Sequence, residues 1–379
     1  MKRFPEIKKN FGFGLMRLPR IEKDVDIEQT KEMVDKFIEA GFNYFDTAHG
    51  YIHGLSELAF KECVAQRYDR SQYLIADKLS PNFFECEEDI RKVFEEELEA
   101  CGVEYFDFFL MHSQNKAKYA KYKACNAFEV VRQLKAEGKI KHMGISFHDT
   151  ADVLKMILDE QPDIEFVQIQ YNYLDYDDPV VMSRKNNEVL VEYDKPVMVM
   201  EPLKGGFLAG LPEDASALLK DFGEASASSY APRFAASAPN VEVVLSGMST
   251  FEQMEDNLNT FKDFVPVSDE EREALRKVAE ILHGAKLISC TNCRYCTEVC
   301  PIGMPIPDIF ALMNSKLQFH AGWDYDLYRM YEDLTVKTAK ASDCLKCANC
   351  EGACPQKLEI VKLLEQAVEE MEERKEISF

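Results

Sequence analysis

The chain has no run of about 18 apolar residues, the length a membrane-spanning helix needs. It is short of basic side chains, with 45 Lys and Arg against 67 Asp and Glu. The resulting formal charge of -22 repels nucleic acid and anionic membrane surfaces. Neither nucleic-acid nor membrane partners are expected. The opening residues, MKRFPEIKKNFGFG, lack the apolar stretch of a secretory signal, so a cytoplasmic location is expected. The front of the chain is also poor in cysteine. Only Cys63, Cys86, Cys101 and Cys125 of the twelve precede residue 289, a scatter unlike a disulfide framework, which implies a reducing compartment. Apolar residues are plentiful, at 46% of 379, which suffices for one large domain and a small one.

From residue 11 to about 248, β-rich runs alternate with amphipathic stretches of helical length. The strand candidates lie at 11–16, 43–48, 73–79, 105–112, 140–147, 166–172, 196–203 and 241–248. Between the first two, Met33, Val34, Phe37 and Ile38 recur at helical spacing, and Gly41 stops the helix. Eight strand–helix repeats fit a (β/α)8 TIM barrel better than an open doubly wound sheet. The SDEE stretch at 268–271 forms a capping-box pattern for a last helix that Gly284 ends. The barrel domain is therefore assigned to 1–282, and 283–379 to a smaller, mainly α-helical domain.

Four polar residues fall at or just past consecutive strand ends: Asp46 and Tyr51, then Lys78, then His112. Convergent polar groups at that face are what barrel catalysis requires. With FDTAHGYIHGLSE (45–57), IADKL (75–79), LMHS (110–113), EGKIKHMGIS (137–146), QIQYN (168–172), EPLKGG (201–206) and NVEVVLSGMSTFEQMEDN (240–257), the chain resembles the aldo/keto reductase family over residues 10–282. The chemistry stands on its own. Hydride reduction of a carbonyl builds negative charge on oxygen, so a proton donor must sit beside it. Tyrosine, with an unperturbed pKa of about 10, is too weak an acid unless a lysine ammonium favours its phenolate and a carboxylate holds that lysine. Tyr51 is thus the expected acid/base, Lys78 its tuner, Asp46 the partner of Lys78, and His112 an orienter or second donor. Singly, each has an ordinary explanation; the joint placement points to catalysis. His49 and His53 flank the site and could touch substrate.

The resemblance implies that a nicotinamide carboxamide is held by Ser146 and Gln168, with Phe147 in place of the usual Asn. Met200 stands where a stacking tyrosine is common. Pro202, Leu203, Gly205, Gly247, Met248, Ser249, Gln253 and Asn257 match the pyrophosphate and adenosine end. No Arg or Lys lies within 247–253 to meet a 2′-phosphate, which favours NAD over NADP.

CTNCRYCTEVCP places Cys290, Cys293, Cys296 and Cys300 as C-x2-C-x2-C-x3-C-P, and CLKCANCEGACP repeats this with Cys344, Cys347, Cys350 and Cys354. The spacing resembles that of bacterial two-cluster ferredoxins, in which the fourth cysteine of each run serves the other cluster. By that rule one 4Fe-4S cluster takes Cys290, Cys293, Cys296 and Cys354, and the second Cys344, Cys347, Cys350 and Cys300. Zinc is the competing reading, but a tetrahedral ion gives no reason for two tripled spacings followed by proline. The long segment between the runs implies a helical ferredoxin-like domain, with Phe310, Phe319, Trp323, Tyr325, Tyr328 and Tyr331 expected in packing.

The expectation is an oxidoreductase that interconverts a carbonyl and an alcohol on a small, polar or sugar-like molecule, its clusters exchanging electrons with a ferredoxin-type partner. Two alternatives stay open: an NAD-dependent carbonyl reductase with structural or sensing clusters, and a non-catalytic electron-transfer or docking subunit. A flavin would bridge hydride and one-electron chemistry, although no flavin motif is present.

Overall fold

Eight short parallel strands close on themselves: β1 (Phe11–Gly14), β2 (Tyr44–Asp46), β3 (Leu74–Leu79), β4 (Phe106–Gln114), β5 (Ile140–Phe147), β6 (Phe166–Gln170), β7 (Val197–Met200) and β8 (Val241–Gly247). Each pairs with its sequence neighbour, and β8 pairs with β1, so the sheet has no free edge. The computed structural model describes residues 3–179, 181–223, 226–284, 287–318, 325–336 and 338–372. Two compact units form, Met1–Pro202 with Ser228–Ser268, and Leu203–Ala227 with Asp269–Phe379.

The barrel interior follows the two-residue period of its strands. Tyr44, Leu74, Ala76, Phe108, Leu110, Phe166, Met198, Val243 and Leu245 form one apolar cluster, plugged from below by Phe4 and Ile7. Two residues further along each strand the same inward direction carries Asp46, Lys78, His112, Ser146 and Gln168. The apolar plug therefore holds a polar upper layer at the C-terminal strand ends. Gly144 makes room within the plug, because a β-carbon there would lie 2.5 Å from the Phe166 ring. Gly144→Ala is expected to cost about 1–3 kcal/mol through overpacking, seen as a lowered thermal midpoint of the barrel by circular dichroism. An unchanged midpoint would mean that Phe166 yields freely.

The surrounding helices bury one face each. Helix α1 (Ile27–Glu39) is capped by Asp26, which accepts from Gln29 N at 3.0 Å, and buries Met33, Val34 and Phe37; Gly41 follows at φ +86°. Helix α3 (Glu87–Cys101) packs on β3 and on helix α2 (Leu55–Phe60).

The second unit is mainly helical. It contains Asp269–Gly284, which begins directly after Ser268, together with Ile306–Gln318, Tyr325–Thr335 and Ile360–Ala367. Its core gathers Ile288, Met304, Ile309, Phe310, Tyr331, Ile360 and Leu364 around the cysteines. Phe319 and Trp323 lie outside the described residues, as do the side chains of Tyr325 and Tyr328.

Candidate functional site

Lys78 is the hub of the barrel's polar layer. Its ammonium donates to Asp46 Oδ1 at 2.7 Å and to the Thr47 carbonyl at 2.5 Å, and lies 4.7 Å from the centre of the Tyr51 ring. Lys78 and Asp46 are both buried. Burial raises the Asp46 carboxyl above its ordinary value; the ammonium and a 3.3 Å hydrogen bond from Gln168 Nε2 oppose that rise. Tyr51 opens a tight turn in which Ile52 and His53 both adopt left-handed backbone, at φ 52° and 55°. Such residues cost of order 1–3 kcal/mol each and gather at functional sites.

His112 meets the Tyr51 ring edge-on, with centroids 5.8 Å apart. Burial, reinforced by the positive charge of Lys78, holds its imidazole well below the ordinary 6.5. Ser80, which the sequence motifs did not single out, lies 2.6 Å from His112 Nδ1. With Ser80 donating, Nε2 keeps its proton and can donate to a carbonyl oxygen. Because the folded pKa is depressed, His112 stays neutral as pH falls through 6.5 and charges only further down. Turnover is therefore expected to show no His112-dependent loss between pH 7 and 6. Ser80→Ala is expected to lower kcat about tenfold by freeing the tautomer; a pH–rate break near 6.5 in the parent enzyme would contradict this account.

Around this quartet, Ser146 Oγ accepts from Ser113 N at 2.7 Å. Gln168 is turned toward Asp46, so its Oε1 is the atom available to a carboxamide. Met200 ends β7 half-buried, followed by Glu201 at φ 53°, whose carboxylate accepts from Gln170 Nε2 at 2.8 Å. Phe147 is buried, one position off the inward register of Ser146. After β8, Ser249 N donates to Gln253 Oε1 at 2.7 Å, and Asn257 Nδ2 donates to the Gln253 carbonyl at 2.9 Å and to Ser246 Oγ at 3.4 Å. Met248 is buried, and Pro202 follows Glu201. A basic residue does reach this loop from elsewhere in the sequence. Ser249 Oγ donates to the Arg17 carbonyl at 2.7 Å, and a β-carbon on Gly247 would lie 3.0 Å from Arg17 Cβ. Arg17 was illegible at the sequence level because it precedes the loop by more than 200 positions.

Leu203 and Gly205 belong to the second unit. There Gly205, at φ +69°, packs so tightly that a β-carbon would lie 2.1 Å from the Thr291 carbonyl oxygen. Lys204 beside it is buried and donates to Gln356 Oε1 at 3.3 Å. The two cysteine runs adopt the same backbone. Asn292 and Arg294 in the first, and Lys346 and Ala348 in the second, are all left-handed at equivalent places. Asn292 N donates to Cys290 Sγ, and Lys346 N to Cys344 Sγ, each at 3.4 Å. One cavity is lined by Cys290, Cys293, Cys296 and Cys354; another is lined by Cys344, Cys347, Cys350 and Cys300. Each cavity thus draws its fourth sulfur from the other run. Four converging sulfurs in an apolar shell are a donor set that suits iron–sulfur ligation. Arg294 closes the first run by a bidentate pair with Asp308, at 2.6 and 2.9 Å.

A parallel eight-stranded barrel with a tyrosine, lysine, aspartate and histidine gathered at its C-terminal face defines an oxidoreductase of the TIM-barrel class. The profile of the aldo/keto reductase family matches residues 10–280, and the chain belongs to that family. Residues 289–359 match the 4Fe-4S dicluster domain. The chain is 26% identical over 205 residues to the NADH-specific methylglyoxal reductase of Escherichia coli K12, covering 47% of this chain and 58% of that protein. It is 30% identical over 97 residues to the glycolate oxidase iron-sulfur subunit of the same organism, covering 24% and 22%. The chain thus spans less than two thirds of either relative. Aldo-keto reductase AKR11C1 from Bacillus halodurans, in its holo form, shares the fold at TM-score 0.60 and 24% identity, covering 72% of this chain and 92% of that one. Among the described residues no helix is long and apolar enough to cross a membrane.

Proposed function

We propose that the protein is an aldo/keto reductase-type oxidoreductase that interconverts a carbonyl and an alcohol on a small, polar or sugar-like molecule, with two 4Fe-4S clusters that exchange electrons with a ferredoxin-type partner. The observation that carries the barrel half is the position of Lys78 Nζ, 2.7 Å from Asp46 Oδ1 and 4.7 Å from the Tyr51 ring centre. A cation there stabilises the tyrosinate that remains once the Tyr51 hydroxyl has given its proton to the substrate oxygen. His112 Nε2–H, set by Ser80, orients that oxygen by hydrogen bonding.

Ser146 and Gln168 would hold the carboxamide of a nicotinamide, with Met200 against its ring. Pro202, Gly247, Ser249, Gln253 and Asn257 would take its far end; when bound, the cofactor supplies the hydride. NAD is favoured, in line with the NADH specificity named for the methylglyoxal reductase. The two crossed cysteine sets would hold the clusters, which supply one-electron transfer.

The test is anaerobic: determine iron, sulfide and flavin in the purified protein, then add NADH or NADPH with methylglyoxal or another small carbonyl. Eight irons per chain and carbonyl-dependent NADH oxidation are expected. An eight-iron protein that oxidises neither nucleotide with any carbonyl would overturn the reading. Cluster bleaching by NADH would join the two halves electronically. Turnover without bleaching would leave the clusters a structural or sensing role.

A further inference from the structure

A second group of ionisable side chains lies on the outer side of β3, between it and helices α2 and α3. Asp77 is adjacent to Lys78 but has the opposite strand direction, so it faces the helices and not the barrel interior. Glu57 comes from α2, Glu97 and Cys101 from α3, and His49 from the loop after β2. Asp77, Glu57 and Glu97 are all at least 99% buried. His49, Glu57 and Glu97 each bring a ligand atom within 4.8 Å of the others, and so do Glu57, Asp77 and Cys101.

The hydrogen bonds within this group leave Glu97 unsatisfied. His49 Nδ1 lies 3.1 and 3.2 Å from the two oxygens of Glu57. Asp77 accepts from the Lys78 backbone N at 2.8 Å and from Cys101 Sγ at 3.3 Å. Both oxygens of Glu97 are buried with no hydrogen-bond partner. A buried carboxyl that lacks any partner is rare and asks for an unseen ligand. Protons alone could cancel the charge, but a protonated Glu97 would still present an O–H and a C=O with nothing to bond. A cation answers both the charge and the open oxygens.

We propose that His49, Glu57 and Glu97 form a divalent metal site on the outer side of β3, with Asp77 and Cys101 as further donors across Glu57. One imidazole nitrogen among carboxylates, with a thiol in reach, suits Mn²⁺, Fe²⁺ or Zn²⁺; an all-oxygen set would suit Mg²⁺ or Ca²⁺ instead. His49 is half-buried, with its ring edge-on to Phe83 at 4.5 Å, and lies at the rim of the group.

Mn²⁺ is the probe. Full-length, cluster-replete protein with its clusters oxidised would be titrated with Mn²⁺ anaerobically, and the free ion read from its six-line paramagnetic resonance signal. One saturable equivalent is expected, displaced by Zn²⁺. Glu97→Gln and, separately, His49→Asn are expected to weaken it at least tenfold while the cluster absorbance stays unchanged. Absence of a saturable equivalent would overturn the site, as would the same equivalent in both variants, since the acidic surface would then be the binder. If Glu97→Gln does not fold, the rim variant His49→Asn alone decides.

Discussion

A Tyr51→Phe enzyme is expected to lose about 100- to 10,000-fold in kcat for carbonyl reduction, the range that one positioned acid supplies. The loss should fall on kcat, because the phenyl ring can still occupy the place above Lys78 Nζ and still meet His112 edge-on. Nucleotide affinity and iron content should stay at parent values, measured by fluorescence titration and by metal analysis. The distinction matters for Lys78 as well. Removing the hydroxyl leaves the Asp46–Lys78 ion pair intact, so a collapse of folding in this variant would show that Tyr51 serves packing. Retention of full turnover would remove the tyrosine as proton donor.

Gly205→Ala is expected to cost the protein its cysteine-bound iron, at least half of what the parent holds. The new methyl carbon would lie 2.1 Å from the carbonyl oxygen of Thr291 and 2.5 Å from its carbon, both backbone atoms that cannot swing aside. Thr291 follows Cys290 directly, and the next amide, Asn292 N, donates to the Cys290 sulfur. Any shift therefore passes straight into the cage. Gly206 provides the control. It too has positive φ, +100°, but nothing lies within 4 Å of the place its β-carbon would take. Gly206→Ala carries only the left-handed backbone penalty, about 1–2 kcal/mol, and should keep its iron. Equal iron in both variants would separate the loop from the cage.

The eight strands were legible because each is a short apolar run bounded by polar or helix-forming sequence, and because the inward period of two placed the polar residues after the apolar ones. The tetrad was legible for the same reason: Asp46, Lys78 and His112 each stand two residues beyond an inward apolar residue on adjacent strands. Strand β7 is shorter than its run suggested, since Glu201 turns left-handed and Pro202 follows. Ser80, Arg17 and Glu97 escaped because their meaning lies in partners distant in sequence. Ser80 needs the ring of His112, Arg17 needs the loop at 247–249, and Glu97 looks like one more acidic helix residue until burial removes its water. Gly205 read as part of a nucleotide loop, whereas its contact with Thr291 depends on how the chain folds back.

The crossed origin of the fourth sulfurs bears on the order in which the molecule is made. While a ribosome is still adding residues between the two runs, the emerged chain offers three of the first cage's cysteines and one of the second's, and neither set is whole. The second set is completed only with Cys350 and the first only with Cys354. Under the proposed crossed ligation, iron insertion would be a late event, following the synthesis of the entire barrel, and until then the polypeptide would carry open thiols exposed to oxidation.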